Sequence, residues 1–277
     1  MPTPSPSPSP SPSKRPAPLR RAARALWLMV MTACGAGTAL AEQIVGARYA
    51  EPTPRYGHFA LGPPHEYASL VARTNTGREL SLTLPPEAVF EDLAPRLVQL
   101  SAGTATVLLT IVSTQGKGSS LAVIGLNDTG TPDARPVELK LLAASAPIGT
   151  PNRWLNPVGV ADLDGDGQAE IAAVTTPHIG GVLRVYRRNG AQLVEIASLP
   201  GFSNHVYGSP ELGLSGVARI GERNVLLVPD ARRASVRAMA LRDGQLIETG
   251  SCPLPTPISG PDALRWCEDR LGAGEKK

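Results

Sequence analysis

Asp162, Asp164 and Asp166 stand at positions 1, 3 and 5 of a turn in the stretch VGVADLDGDGQAEIAAV, with Gly167 at 6, Gln168 at 7 and Glu170 at 9. Alternate carboxylates in a tight turn converge their oxygens, and a glycine at position 6 allows the sharp reversal. The backbone carbonyl of position 7 can then join them as another hard oxygen, which together suits a hard cation such as calcium. Unneutralised, that many like charges at this spacing would repel one another, so a bound ion is favoured over a merely solvated turn. The motif is not an EF-hand. Position 12 is Ala173, where a bidentate Glu would be needed, and the flanks NPVGVA and EIAAV read as strands.

Other catalytic signatures are missing. The histidines His58, His65, His178 and His205 form no H-E-x-x-H and show no ligand spacing within a regular element. In TPHIGG and SNHVYG the His falls at a turn, where it is expected to bond backbone. There is no G-x-S-x-G elbow. QGKGSS lacks the first glycine of a phosphate-binding loop, because Ile111 stands there, and reads as a hairpin turn. Trp154 is expected to pack in the core or between repeated units. Arg187–Arg188 and Arg232–Arg233 are expected to be solvated strand ends.

Between Glu42 and Thr249 the elements that must position the acidic turn are short strand candidates separated by turn residues. Hairpins are expected at Asn75-Thr76-Gly77, Gln115–Gly118, Gly180-Gly181, Asn189-Gly190 and Asp243-Gly244. Only the tail GPDALRWCEDRLG, with Ala263, Leu264, Trp266 and Cys267, and the stretch EAVFEDLA are candidates for helix. The strands recur as a four-stranded unit. Aligning Leu100, Leu163 and Ile220 gives separations of 63 and 57 residues, longer than the ~40–50 of a typical propeller blade. Units that cannot bury a face alone must stack.

The stretch VADLDGDGQAEIAAV resembles the FG-GAP/VCBS type of repeat found in integrin α-subunit propellers and in many exported bacterial proteins. The segments RYGHFALGPPHEYASL, VFEDLAPRLVQL and RWLNPVGVADLDGDG resemble compact VCBS-repeat proteins of proteobacteria. The resemblance implies an all-β chain: a small β-propeller of about four or five four-stranded blades over residues 42–250, with calcium in the loop between a blade's first two strands. Carried over, Asp162, Asp164, Asp166 and Glu170 supply side-chain oxygens and Gln168 a backbone oxygen. Integrin-type repeats usually carry Asp where Glu170 stands. The equivalent turns VQLSAGTATV and ARIGERNV have lost their carboxylates, so one structural calcium site is expected.

Residues 1–41 read as a removable leader. MPTPSPSPSPSPSKRP is a Pro-Ser repeat that can bury nothing, and its placement allows a true start downstream of Met1. Arg20, Arg21 and Arg24 then precede a short apolar run that ends in Ala39-Leu40-Ala41, the order of a secretory signal peptide. The mature chain would begin near Glu42; lipidation at Cys34 is the other possibility, to which Met31 is a poor fit. Five of the 27 basic residues lie in the leader and none of the 24 acidic ones, leaving 22 basic residues and a formal charge of −2. No basic stripe with interleaved aromatics remains, so nucleic acid is not an expected partner. Cys252 and Cys267 remain as an even pair, which in an exported chain reads as one disulfide rather than two buried thiols, in a tail spanning 251–277.

The expectation is a periplasmic or secreted monomer, without a stable membrane span after cleavage. It would be a non-catalytic, calcium-stabilised module that binds a protein or glycan ligand. The alternative is a polysaccharide-active hydrolase or lyase using the propeller channel.

Overall fold

In a computed structural model of the chain, residues 41–127 and 136–274 are described. The expected leader, with Cys34, lies outside them, apart from Ala41. The described chain is all-β with one C-terminal helix.

Strands β1 (Ile44–Thr53), β2 (Glu66–Thr74) and β3 (Glu79–Thr83) form an antiparallel meander whose β2–β3 turn holds Asn75, Thr76 and Gly77. The short β4 (Ala88–Phe90) pairs with both β2 and the next unit. That unit is β5 (Arg96–Val98), β6 (Val107–Thr114), β7 (Gly118–Leu126) and β8 (Leu139–Ser145). A third follows: β9 (Leu155–Ala161), β10 (Glu170–Thr175), β11 (Val182–Asn189) and β12 (Gln192–Pro200). A two-residue parallel pairing, Gln192 with Ala144 and Leu193 with Ser145, joins β12 to β8. The first three units thus form one continuous, curled twelve-stranded sheet. The fourth, β13 (Gly216–Ile220), β14 (Arg223–Pro229), β15 (Ser235–Arg242) and β16 (Gln245–Pro253), is a separate four-stranded sheet.

Inner strands such as β6, β7 and β10 are buried on both faces because the units lie face to face. On β10, Ile171 and Ala173 point into a core shared with Leu109, Ile111, Leu121 and Val123 of the preceding unit. Their neighbours Ala172 and Val174 point into a core shared with Leu226, Val228, Met239 and Leu241 of the following unit. Successive side chains on a strand face opposite ways, so a strand covered on both sides must read as an unbroken apolar run. The approach is close: a Cβ on Gly159 of β9 would lie 2.7 Å from Val217 Cγ2 of β13.

The outer face of the last sheet is covered by α1 (Pro261–Gly274). Ala263, Leu264 and Leu271 pack on its core, and Cys267, fully buried, is disulfide-bonded to Cys252 of β16. Trp266 departs from expectation: it is 44 % exposed, with the Arg270 guanidinium over its ring. The buried stripe runs 264, 267, 271, a helical spacing that leaves 266 on the outer side. EAVFEDLA is not a helix either. Ala88, Val89 and Phe90 are all buried in β4, where pairing on both edges outweighs a weak helical pattern. No helix among the described residues is long and apolar enough to cross a membrane.

Candidate functional site

The acidic turn joins β9 to β10, the first two strands of the third unit. Gly165 and Gly167, at φ 86° and 87°, occupy the left-handed region the reversal requires. Both Asp162 carboxylate oxygens accept backbone N–H groups, from Gly165 at 2.7 Å and Gly167 at 2.9 Å. Asp164 accepts from Asp166 N at 3.3 Å, and Asp166 from Gln168 N at 2.8 Å. One carboxylate oxygen from each of Asp162, Asp164 and Asp166 falls within 4.8 Å of the others, the spacing at which they can hold a metal ion.

Glu170 is fully buried at the start of β10. One of its oxygens accepts from Leu163 N at 2.9 Å; the other accepts from Arg187 Nε at 3.0 Å and Nη2 at 2.6 Å. Arg187, on the adjacent β11, also donates to Asp164 at 2.6 Å and lies 3.4 Å from Asp166. It is therefore not a solvated strand end but a counter-cation built into the acidic turn. Burial pushes the Glu170 carboxyl up, while the Leu163 N–H and Arg187 pull it back down. Hydrogen bonds that Arg187 donates to Asp164 and Glu170 hold its guanidinium firmly protonated. Four carboxylates against one guanidinium leave a net −3 in the turn, so the hard-oxygen set still fits a divalent cation.

Neighbouring units brace the turn on both sides. Ala169 N donates to Leu100 O at 2.9 Å, and Gln168 bridges Ser101, both in the β5–β6 turn. From β14, Asn224 donates to the Asp162 carbonyl at 2.8 Å. The structure thus brings together Asp162, Asp164, Asp166 and Glu170, with Gln168 in the same loop.

A second cluster was not legible in the sequence. His178, in the β10–β11 turn, meets His205, in the β12–β13 connection, with Nε2 and Nδ1 2.8 Å apart. His205 Nε2 lies 2.8 Å from Ser209 O, which is the backbone bond expected of a turn histidine. Trp154 lies parallel to His178, with its centroid 6.1 Å away, and donates its indole N–H to Glu91 O at 2.9 Å. This is the packing role expected of it. Glu91, also buried, places Oε1 2.6 Å from His58 Nδ1 and accepts from Ser113. Glu66 holds the loop that carries His58 by accepting from the N–H groups of Gly57, His58 and Phe59. Burial, then the neighbouring His205, His58 and Arg233, lowers the His178 pKa to about 4; burial also lowers that of His205. Three loops converge here, those of His178 and His205 27 residues apart and that of His58 far earlier in the chain, a placement that only the fold reveals.

Compared with models of known families and with curated proteins, the chain matches none.

Proposed function

We propose that this chain is an exported, calcium-stabilised binding module of the FG-GAP/VCBS type, built as a small propeller of four or five blades. One observation carries the reading: three aspartates converge in the hairpin loop between the first two strands of a four-stranded antiparallel unit. Face-to-face stacking of similar units in chain order supports the blade reading, and four such units favour the lower count. The bonded Cys252–Cys267 pair agrees with an oxidising compartment.

Asp162, Asp164 and Asp166 would hold the ion, with the Gln168 carbonyl and Glu170 completing the set once Arg187 gives way. Calcium would offset much of the turn's negative charge and join β9 to β10; the turn has no role in bond-making. Weak calcium modules, with Kd of ~10⁻⁴–10⁻³ M, suit extracellular ion levels. Melting the chain in millimolar calcium and in chelator tests this. Calcium should raise Tm, magnesium should substitute poorly, and Asp164→Ala should remove the rise while preserving the β-rich circular dichroism. Identical wild-type melting in calcium and chelator would overturn it.

The second reading, a polysaccharide-active hydrolase or lyase, is favoured by the His58–Glu91 pair beside a cavity. Release of reducing ends or unsaturated uronate from polysaccharide would support it over a binding role.

A further inference from the structure

A cavity of about 230 Å³ opens between the loop before β2, the β10–β11 turn and the β12–β13 connection, lined by His58, Trp154, Thr176, His178, Ile179 and Tyr207. Its hydrogen-bond chemistry follows from the partners already described. The Ser209 carbonyl can only accept, so His205 Nε2 carries a proton and, in the neutral ring, His205 Nδ1 is a lone pair. His178 Nε2–H must then donate to it, which leaves His178 Nδ1 bare. In the neutral ring, His58 donates through Nδ1 to the Glu91 carboxylate and keeps Nε2 bare. Among the described residues, neither leftover nitrogen has a protein partner. Two imidazole acceptors with fixed tautomers thus flank one cavity.

The occupant must donate hydrogen bonds. A protonated amine fits poorly: Glu66 and Glu91 are spent on the loop and on His58, while Arg153 also lines the cavity and Arg233 lies near enough to bear on both His178 and His205. Uncharged hydroxyls fit. The apolar part of the wall is Trp154 with Ile179 and Tyr207, which are 62 % and 59 % exposed at the rim and suit the C–H face of a ring. Drug-sized ligands occupy ~300–1,000 Å³, so this space suits a single ring. The rim is also strained. Asn152 and Thr176, both in the cavity lining, have φ of 52° and 51° without being glycine. Such conformations concentrate at functional sites, and for a β-branched residue like Thr176 this one is a marked outlier.

We propose that this cavity is a subsite for one neutral sugar ring, whose hydroxyls donate to His178 Nδ1 and His58 Nε2 while Tyr207 and Ile179 cover its apolar face. The proposal deepens, and rests on, the reading of the chain as a binding module.

Imidazole nitrogen shifts of the chain purified from the exported fraction, titrated separately with glucose, galactose and N-acetylglucosamine, test it. At least one sugar should shift the His178 and His58 signals saturably, with a millimolar Kd, while ethylammonium shifts neither. Tyr207→Ala, at an exposed position, and His178→Phe should each weaken binding about tenfold or more. Absence of saturation with all three sugars, preference for ethylammonium, or binding indifferent to both substitutions would overturn it. Each titration is run in calcium and in chelator. Sugar binding without a calcium effect on melting would refute the calcium reading alone; a calcium effect without sugar binding would refute this proposal alone.

Discussion

Arg187→Met separates the built-in cation from the ion it would share its carboxylates with. Methionine keeps the length of the stem and removes the charge, leaving the fully buried Glu170 with only the Leu163 N–H. Removing one partner of a buried ion pair costs ~3–5 kcal/mol. Arg187 is 30 % exposed, which lowers the expected loss to about 2–3 kcal/mol. For a domain of this size each kcal/mol moves Tm by roughly 2–4 °C, so in chelator the variant should melt roughly 4–12 °C below wild type. Calcium should restore most of that: an ion bound only by the folded turn stabilises by about 2.7 kcal/mol at a hundredfold excess over Kd. Wild type should gain less, since there the ion must first displace the guanidinium. The deficit in chelator should also shrink as pH falls. Burial already raises the Glu170 pKa, so the folded state takes up that proton before the unfolded chain does, and protonation relieves the unpaired charge. Differential scanning calorimetry of both proteins, with and without calcium, reads all of this. An equal loss in calcium and in chelator would refute the idea that Arg187 and the ion compete for the same oxygens.

Replacing Cys252 and Cys267 with Ser should lower stability by about 3 kcal/mol, measured by urea unfolding, because the bond closes a loop of 15 residues and fastens α1. Two free thiols in non-reducing peptide maps of exported protein would contradict the bond itself. Stability should fall as pH drops from 6.5 toward 4: the unfolded chain protonates His178 near its ordinary value, whereas the folded state resists until about 4. The contribution, present above pH 6.5 and reduced by solvent screening of the half-buried ring to roughly 1–2 kcal/mol, should vanish from the pH profile of His178→Phe. Intact-mass measurement should place the N-terminus of exported protein near Glu42, and retention of the Pro-Ser segment would refute cleavage there.

The hairpins were legible because their turns are chemically marked. Asn75-Thr76-Gly77, Asn189-Gly190 and Asp243-Gly244 each close the β-turn expected of them, with Gly77, Gly190 and Gly244 at positive φ. The acidic turn was legible for the same reason, since its carboxylates lie within nine residues. What could not be read was whatever depends on residues distant in the chain. Arg187 is a cation 17 residues beyond Glu170, placed on it only by the register of β11 against β10. His58, His178 and His205 share no spacing, and each sits in a loop whose course is fixed by other units. Gly181 illustrates the constraint: a Cβ there would lie 1.9 Å from Phe202 O, so the turn carrying His178 must press against the strand end leading to His205. The join between β8 and β12 had no local signal either, being two residues of parallel pairing.

Most strand pairs in this chain join immediate sequence neighbours; β2–β4, β4–β6 and β8–β12 are the exceptions. For an all-β protein that is a low mean sequence separation, and little chain entropy is lost before each pair forms. Units can therefore assemble in the order the chain emerges, each offering a finished face as the template for the next. Among the described residues, no further strand unit covers the outer face of the last sheet. The helix and its cystine do that instead, so the final step of assembly is a chemical one, and the thiol redox state of the compartment sets when the stack is sealed.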